Sequence, residues 1–340
     1  MAAQDLHQEL AEIFAALHVH SLEAFEFRGN AHVAAMPATP ARPNGDAYAP
    51  LRDTLRNVLY GGCYTRSTAP DFPPATTPQA WLAQLMSANS TQDRWDPAWS
   101  IYQQGGDGRL LVQKGERSRA AVIGEYATNK PPGVPPQVGD QVSLRVCPGS
   151  SDMQQGFYFA FGATLSDQFD DYSLLRFYFN LQAEGAAEWL RAVSSRFNHY
   201  AVPFRYKTLA DPCAYTRADA AVLYVAKRYY AIAAALVAAI AEPLQACLRP
   251  ETPMFCHALR PGIGLAEEPG TGESFGMHRC RLVAEGVIDA WLAGSQAVDA
   301  RLEAVRQRFA ANGIRLDAPY LNAQSMDLFR NEIFAGGITL

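Results

Sequence analysis

From about residue 95 to residue 227 the chain departs from helical spacing and adopts strand spacing, and this block constrains the fold more than any other feature. "WSIYQQGGDGRLLVQKGERSRAAVIGEYA" alternates and reverses at Gly-Gly-Asp-Gly, a hairpin signal. "DQVSLRVCP", "GFYFAFG", "YSLLRFYFNL", "PFRYKTL" and "AAVLYVAK" continue as strands rich in β-branched and aromatic residues. The segment "AAEWLRAVSSRFNHY" interrupts them with helical period. Before the block, Leu6, Leu10, Ile13, Phe14 and Leu17 form one stripe of a helix over 4–18. A short helix is predicted near 50–60, and a third in "TPQAWLAQLMSAN", where Thr77 can cap ahead of Pro78. The Pro-, Ala- and Gly-rich "RGNAHVAAMPATPARPNGDAYAP" reads as a loop. After the block, helices are predicted over 229–247, 274–292 and 298–312. Helices, then strands, then helices imply an α+β fold, with a mixed or antiparallel central sheet flanked by helices. The change near residue 95 suggests an N-terminal helical cap region over 1–95 and an α+β domain over 96–340.

Composition removes several function classes. With 49% hydrophobic and 19% charged residues in 340, the chain has material for a core. A net charge of −5 argues against a general nucleic-acid binder, which needs a basic excess. The amino terminus lacks the basic region and apolar core of a secretory signal. The longest apolar run, "YAIAAALVAAIAEPL", is short and alanine-rich for a membrane span and reads as a buried helix, so no membrane partner is expected. The six cysteines form no CxxC pair, which fits a reduced, cytoplasmic setting rather than a zinc or disulfide framework. "GIGLAEEPGTGES" matches neither a P-loop nor a dinucleotide fingerprint. His18-Val-His20, at a predicted helix end, reads as a surface pair. No cofactor and no metal is implied.

The basic residues are distributed unevenly. Of 29, only Lys114, Lys130, Lys207 and Lys227 are lysine. Arginine cannot lose its proton in a protein, whereas a partly desolvated lysine can, so a position that must act as a base tolerates only lysine of the two. Lys207 sits among Phe204, Tyr206 and Leu209 in an apolar run. Lys130 reads as a loop residue, and Lys227 with Arg228 as surface charge at a strand-to-helix junction. Residues two apart share a strand face, so Arg176, Tyr178 and Asn180 point together, as do Arg205 and Lys207. Arg217 precedes a strand, and Ser274 can cap the helix that carries His278 and Arg279. If these faces converge with Lys114, they form an anion pocket of guanidinium groups with a lysine and a histidine.

At these residues the chain resembles a known family. "GFYFAFG", "RFYFNL", "VPFRYK", "YTRADAAVLYV", "PGIGLAEEP" and "ESFGMHRCRLVAE", in this order, are similar to the HopA1 family, named for a bacterial type III secreted effector. The resemblance covers about residues 100–292. Related stand-alone proteins serve as lyases in class V lanthipeptide biosynthesis, so it implies a phospho-amino-acid lyase. In that pathway a kinase similar to aminoglycoside phosphotransferases phosphorylates Ser or Thr of a precursor peptide, and the lyase eliminates phosphate to leave dehydroalanine or dehydrobutyrine. On this basis Lys207 is assigned as the base, with Lys114 as the second candidate. Arg176, Arg205, Arg217 and Arg279 are assigned to the phosphate, Tyr178 to orientation and His278 to general acid catalysis. Lowering a lysine pKa from about 10.4 to about 7.5 requires roughly 4 kcal/mol, which burial and nearby arginines supply in the right direction. The competing expectation is a non-catalytic phosphopeptide- or partner-binding module or a type III effector.

Overall fold

The computed structural model describes residues 3–34, 47–68, 76–329 and 334. The described residues form an α+β fold in which every strand pair is antiparallel. Helices α1 (Ala3–Ala15), α2 (Ala49–Leu59) and α3 (Pro78–Ala88) precede the long strand block. Thr77 caps α3, its hydroxyl accepting from the Ala80 amide at 3.3 Å. Between α1 and α2 lies a small sheet of β1 (Leu17–Val19), β2 (Ala24–Phe27) and β3 (Asn30–Val33). His18 therefore stands on a strand, not at a helix end, and the predicted loop opens with a turn at Arg28-Gly29 and continues as β3. Its residues 35–46 lie outside the described residues.

The strand block divides into two sheets. The first contains β4 (Arg94–Gln104), β5 (Leu110–Lys114), β6 (Arg117–Ala121), β7 (Tyr126–Thr128) and β8 (Gln141–Val146), in the order β6-β5-β4-β8-β7. Residues 105–108 make the predicted hairpin turn, closed by the Gly105 amide on the Arg109 carbonyl at 2.7 Å. The second contains β9 (Gly149–Ser150), β10 (Phe157–Phe161), β11 (Leu174–Phe179), β12 (Arg205–Leu209), β13 (Ala221–Ala226), β14 (His257–Arg260) and β15 (Ile263–Glu267). Its order is β14-β15-β11-β13-β12-β10-β9.

Both faces of the seven-stranded sheet are covered, which explains why "LLRFYF" and "AVLYVA" are apolar nearly throughout. Side-chain parity sorts the two cores. Leu175, Phe177, Phe179, Leu223 and Val225 join the core under α3, α4 (Ala183–His199) and α5 (Tyr230–Leu244). Tyr178, Val222, Tyr224 and Ala266 face the other core, with α1, α2, α6 (Phe275–Leu292) and α7 (Val298–Ala311). The segment Lys227–Cys247 is long and apolar enough to cross a membrane by length and composition. Its Ala233, Ala234, Leu236, Val237 and Ile240 are buried in the sheet core, so α5 is a core helix here.

Helix α6 is the main cover of the second face. Ser274 caps it through the Met277 amide at 3.4 Å. Gly286 lets α7 approach closely, since a Cβ there would lie 2.6 Å from the Val305 backbone. Gly276 does the same for the Tyr64 ring, which a Cβ would strike. The five-stranded sheet has its own core of Trp99, Ile101, Leu110, Val112, Ala121, Val142 and Leu144.

Candidate functional site

Strand register builds the site as two rungs across the seven-stranded sheet. One runs Phe159–Lys207–Val222–Tyr178, the other Phe161–Arg205–Tyr224–Arg176–Ala266. Directly opposed residues in antiparallel pairs share a face, so Lys207, Arg205, Tyr178, Tyr224 and Arg176 emerge together on the α6 side. The guanidinium groups of Arg205 and Arg176 both stand over the Tyr224 ring, at 4.6 and 5.2 Å from its centroid. Tyr224 thus separates two cations that would otherwise meet in poor solvent.

Lys207 differs from the other three lysines. Lys114 donates to both Asp96 carboxylate oxygens at 3.0 Å, Lys130 pairs with Asp140, and Lys227 pairs with the buried Glu267. Lys227 is accordingly an ion-paired residue and not a bare surface charge. The Lys207 ammonium makes no hydrogen bond or ion pair among the described residues. It sits 3.8 Å from the Phe157 ring centroid and 5.9 Å from that of Phe159. Burial, reinforced by Arg176, Arg217 and Arg205 and opposed by Asp219, pulls its pKa down from 10.5 to about 8. Arg205 is the second unpartnered cation on this face, its Nε buried without an acceptor.

The other cations already hold carboxylates. Arg176 pairs with Glu268 and donates to the Tyr178 hydroxyl at 3.5 Å. Arg217 grips Asp219 through Nε and through Nη2 at 2.8 Å, and also donates to the Tyr60 hydroxyl at 2.8 Å. The Tyr60 hydroxyl in turn donates to Asp219 Oδ2 at 3.2 Å. Tyr178 is buried beside Phe275, ring centroids 6.2 Å apart. The face therefore carries two ion pairs that are fixed, plus two cations, Lys207 and Arg205, with free donors.

Arg279 and His278 are placed differently. Arg279 is 0% exposed, with Nε on the Pro319 carbonyl at 2.7 Å and Nη2 on the Leu321 carbonyl at 2.9 Å. Its Nη1 lies 2.7 Å from His278 Nδ1. An arginine has only donors, so Nδ1 must accept and the imidazole proton must sit on Nε2. Burial and the adjacent Arg279 and Arg281 push the His278 pKa down to about 4, which keeps the ring neutral at physiological pH. Arg279 thus spends its donors strapping residues 319–322 to α6. Lys114 lies on the five-stranded sheet, outside the Lys207 group. Among the described residues, no three His, Cys, Asp or Glu side chains are grouped as a metal would need.

A cleft of about 570 Å³ opens between the two large sheets, with Arg205, Tyr224, Phe204, Arg119 and Asp171 among its walls. It reaches the candidate site at Arg205 and Tyr224 but not at Lys207, one step further along the same strand face. Residues 149–321 match the model of the HopA1 effector protein family, just over half of the chain. The chain belongs to that family. Among solved structures it is similar to the effector protein from Pseudomonas syringae pv. tomato strain DC3000. The identity is 17%, the TM-score 0.49, and the match covers 95% of this chain and 98% of that one. It is also similar to the effector protein from Pseudomonas syringae pv. syringae strain 61, at 16% identity and TM-score 0.43, covering 81% and 96%. No curated protein matches the chain.

The segment shared with HopA1 family members holds Arg176, Tyr178, Arg205, Lys207, Arg217, His278 and Arg279, and excludes Lys114. Tyr224, Phe157, Phe159 and the Tyr60 and Asp219 that hold Arg217 complete the face, and of these residues only Arg217 was a sequence candidate. Tyr224 and the two phenylalanines had a signal, since they alternate in "AVLYVA" and "FYFAF" on the parity of the site. Tyr60, which lies on another element far back in the chain, had none.

Proposed function

We propose that this HopA1 family chain is a phosphoserine/phosphothreonine lyase. It eliminates phosphate from a kinase-phosphorylated precursor peptide to give dehydroalanine or dehydrobutyrine, as in class V lanthipeptide biosynthesis. The observation that carries the reading is Lys207, the one lysine without a partner among the described residues, half-buried on aromatic rings with its pKa pulled down to about 8. Roughly a tenth of such a group is neutral at pH 7, against well under a thousandth of an ordinary lysine. The neutral amine removes the Cα proton of the phosphorylated residue, the C–H electron pair becomes the Cα=Cβ bond, and the Cβ–O bond breaks to release phosphate. The free Arg205 guanidinium binds the phosphate and its developing charge, while the ion-paired Arg176 and Arg217 frame the face beside it. Tyr178 is fixed by Arg176 as part of the floor. The reading uses neither Lys114 nor Arg279, and it needs no acid from His278. Its partners are the precursor peptide and an aminoglycoside-phosphotransferase-like kinase that phosphorylates it, both in the cytoplasm.

A second reading, a non-catalytic effector module that captures a phosphorylated partner, is favoured by the family itself and by the carboxylates already paired to Arg176 and Arg217. Incubating the protein with a phosphothreonine peptide and following intact mass separates the two. Loss of phosphoric acid with the wild type and not with Lys207→Arg supports the lyase. Binding without loss in either protein overturns it and leaves the module.

A further inference from the structure

The cleft between the sheets has features that the elimination chemistry does not use. Its volume of about 570 Å³ suits a few side chains of an extended peptide. Its half-buried cations, Arg205 and Arg119, share the lining with two exposed acids. Arg119 donates through Nη1 to the Ser166 carbonyl and hydroxyl, both at 2.9 Å, and feels Asp171 and Glu125 across the cleft without an ion pair to either. Glu125 and Asp171 are exposed, and neither forms an ion pair among the described residues. The remaining lining charges, Asp170 and Arg145, are neutralised by Arg228 and Asp93.

Large exposed apolar side chains from separate segments belong to the lining or stand next to it in sequence. Phe169 and Tyr172, 66% and 85% exposed, flank the lining pair Asp170–Asp171, and their rings lie 6.4 Å apart. Ile123, 83% exposed, adjoins the lining residues Gly124 and Glu125, and the exposed Met153 is itself part of the wall. Side chains of this size left in water around one charged cleft mark a contact surface.

We infer that this cleft binds the segment of the substrate peptide next to the phosphorylated residue and selects a flank that carries an apolar side chain and a lysine or arginine. The phosphate lies at Arg205, where cleft and catalytic face meet. The basic flank residue answers Asp171 and Glu125, and the apolar one covers Phe169, Tyr172 and Ile123. A free phosphate ion would leave these apolar side chains uncovered, and an acidic flank would face like charge. The inference rests on the reading of the Lys207 face as a phosphopeptide site.

Fluorescein-labelled phosphothreonine peptides titrated into the full chain carrying Lys207→Arg test this by anisotropy, without turnover. A peptide with a basic, aromatic flank should bind about tenfold more tightly than one with an acidic flank, the scale expected from two exposed charge contacts. Asp171→Lys combined with Glu125→Lys should reverse that order. Phe169→Ala with Tyr172→Ala should weaken the basic, aromatic peptide about tenfold, as removal of an aromatic contact does. All four positions are exposed, and unchanged thermal melts certify the fold of each variant. Equal binding of both peptides, or indifference to these substitutions, overturns the inference and leaves the lyase standing. Flank selection by a protein that never eliminates phosphate sinks the lyase instead and leaves the cleft. Concentration-dependent dimerisation abolished by Ile123→Asp, with no effect on peptide binding, assigns the apolar side chains to a second copy and also overturns it.

Discussion

Lys207→Met should make the protein more stable at neutral pH, although it removes the residue on which the proposed chemistry depends. A lysine whose pKa falls from 10.5 to about 8 carries a penalty of about 3 kcal/mol on its charged form, at 1.36 kcal/mol per pKa unit. The contact with the Phe157 ring at 3.8 Å returns about 1 kcal/mol to the cation. Methionine has similar length and rests its thioether on the same rings. The net gain at pH 7 is therefore about 2 kcal/mol. The sign of the pH dependence follows from linkage. Below about pH 8 the lysine is charged in both folded and unfolded chains, and the penalty is present in full. Between about pH 8 and 10.5 the folded state has lost the proton while the unfolded state keeps it, so wild-type stability rises with pH relative to the variant. Above 10.5 the difference closes. Urea unfolding of both proteins at a series of pH values reads this directly, because other titrating groups cancel in the comparison. Parallel stability profiles, or a less stable methionine variant at pH 7, would refute an unpaired and desolvated lysine at this position.

Three further outcomes follow from the same geometry. Elimination should show kcat/KM rising tenfold per pH unit below about pH 8 and levelling above it, because only the neutral amine accepts the proton; a flat profile over that range excludes Lys207 as the base. Arg205→Leu should weaken phosphopeptide binding by about 10- to 100-fold, the scale of charge-assisted hydrogen bonds, with little effect on an unphosphorylated peptide in the same titration. Arg279→Met should cost about 3 kcal/mol of stability in urea unfolding, since it leaves the Pro319 and Leu321 carbonyls without their buried donor; a change under 1 kcal/mol contradicts the strap.

Local chemistry was legible in the sequence where it was written within a few residues. Thr77 and Ser274 act as the caps their positions suggest, and the period of two in "RFYFN" and "FRYK" put Arg176 with Tyr178 and Arg205 with Lys207. Scarcity of lysine singled out position 207 before any contact was known. What could not be read is long-range pairing. That Arg176 and Arg205 flank one tyrosine depends on the register of three strands separated by helices, which no local pattern encodes. Carboxylate partners were invisible for the same reason. Glu268 lies 92 residues from Arg176, so Arg176 read as a free phosphate ligand when it is an ion-paired one. The division of the strand block into two sheets, and hence the cleft between them, likewise comes from which edges stop pairing. His278 and Arg279 were correctly placed on one helix, but helical phase alone did not reveal that residues 319–322 fold back to occupy the guanidinium.

The ionisation of Lys207 itself is the most direct test of the account. Selective isotope labelling of the four lysine side chains, followed by NMR titration, with Lys207→Met to assign the resonance, gives its pKa without any substrate. The resonance lost in Lys207→Met is expected to titrate near pH 8. A Lys207 resonance that titrates above pH 10 would show a solvated, ordinary amine, and the base proposed for the elimination would be contradicted.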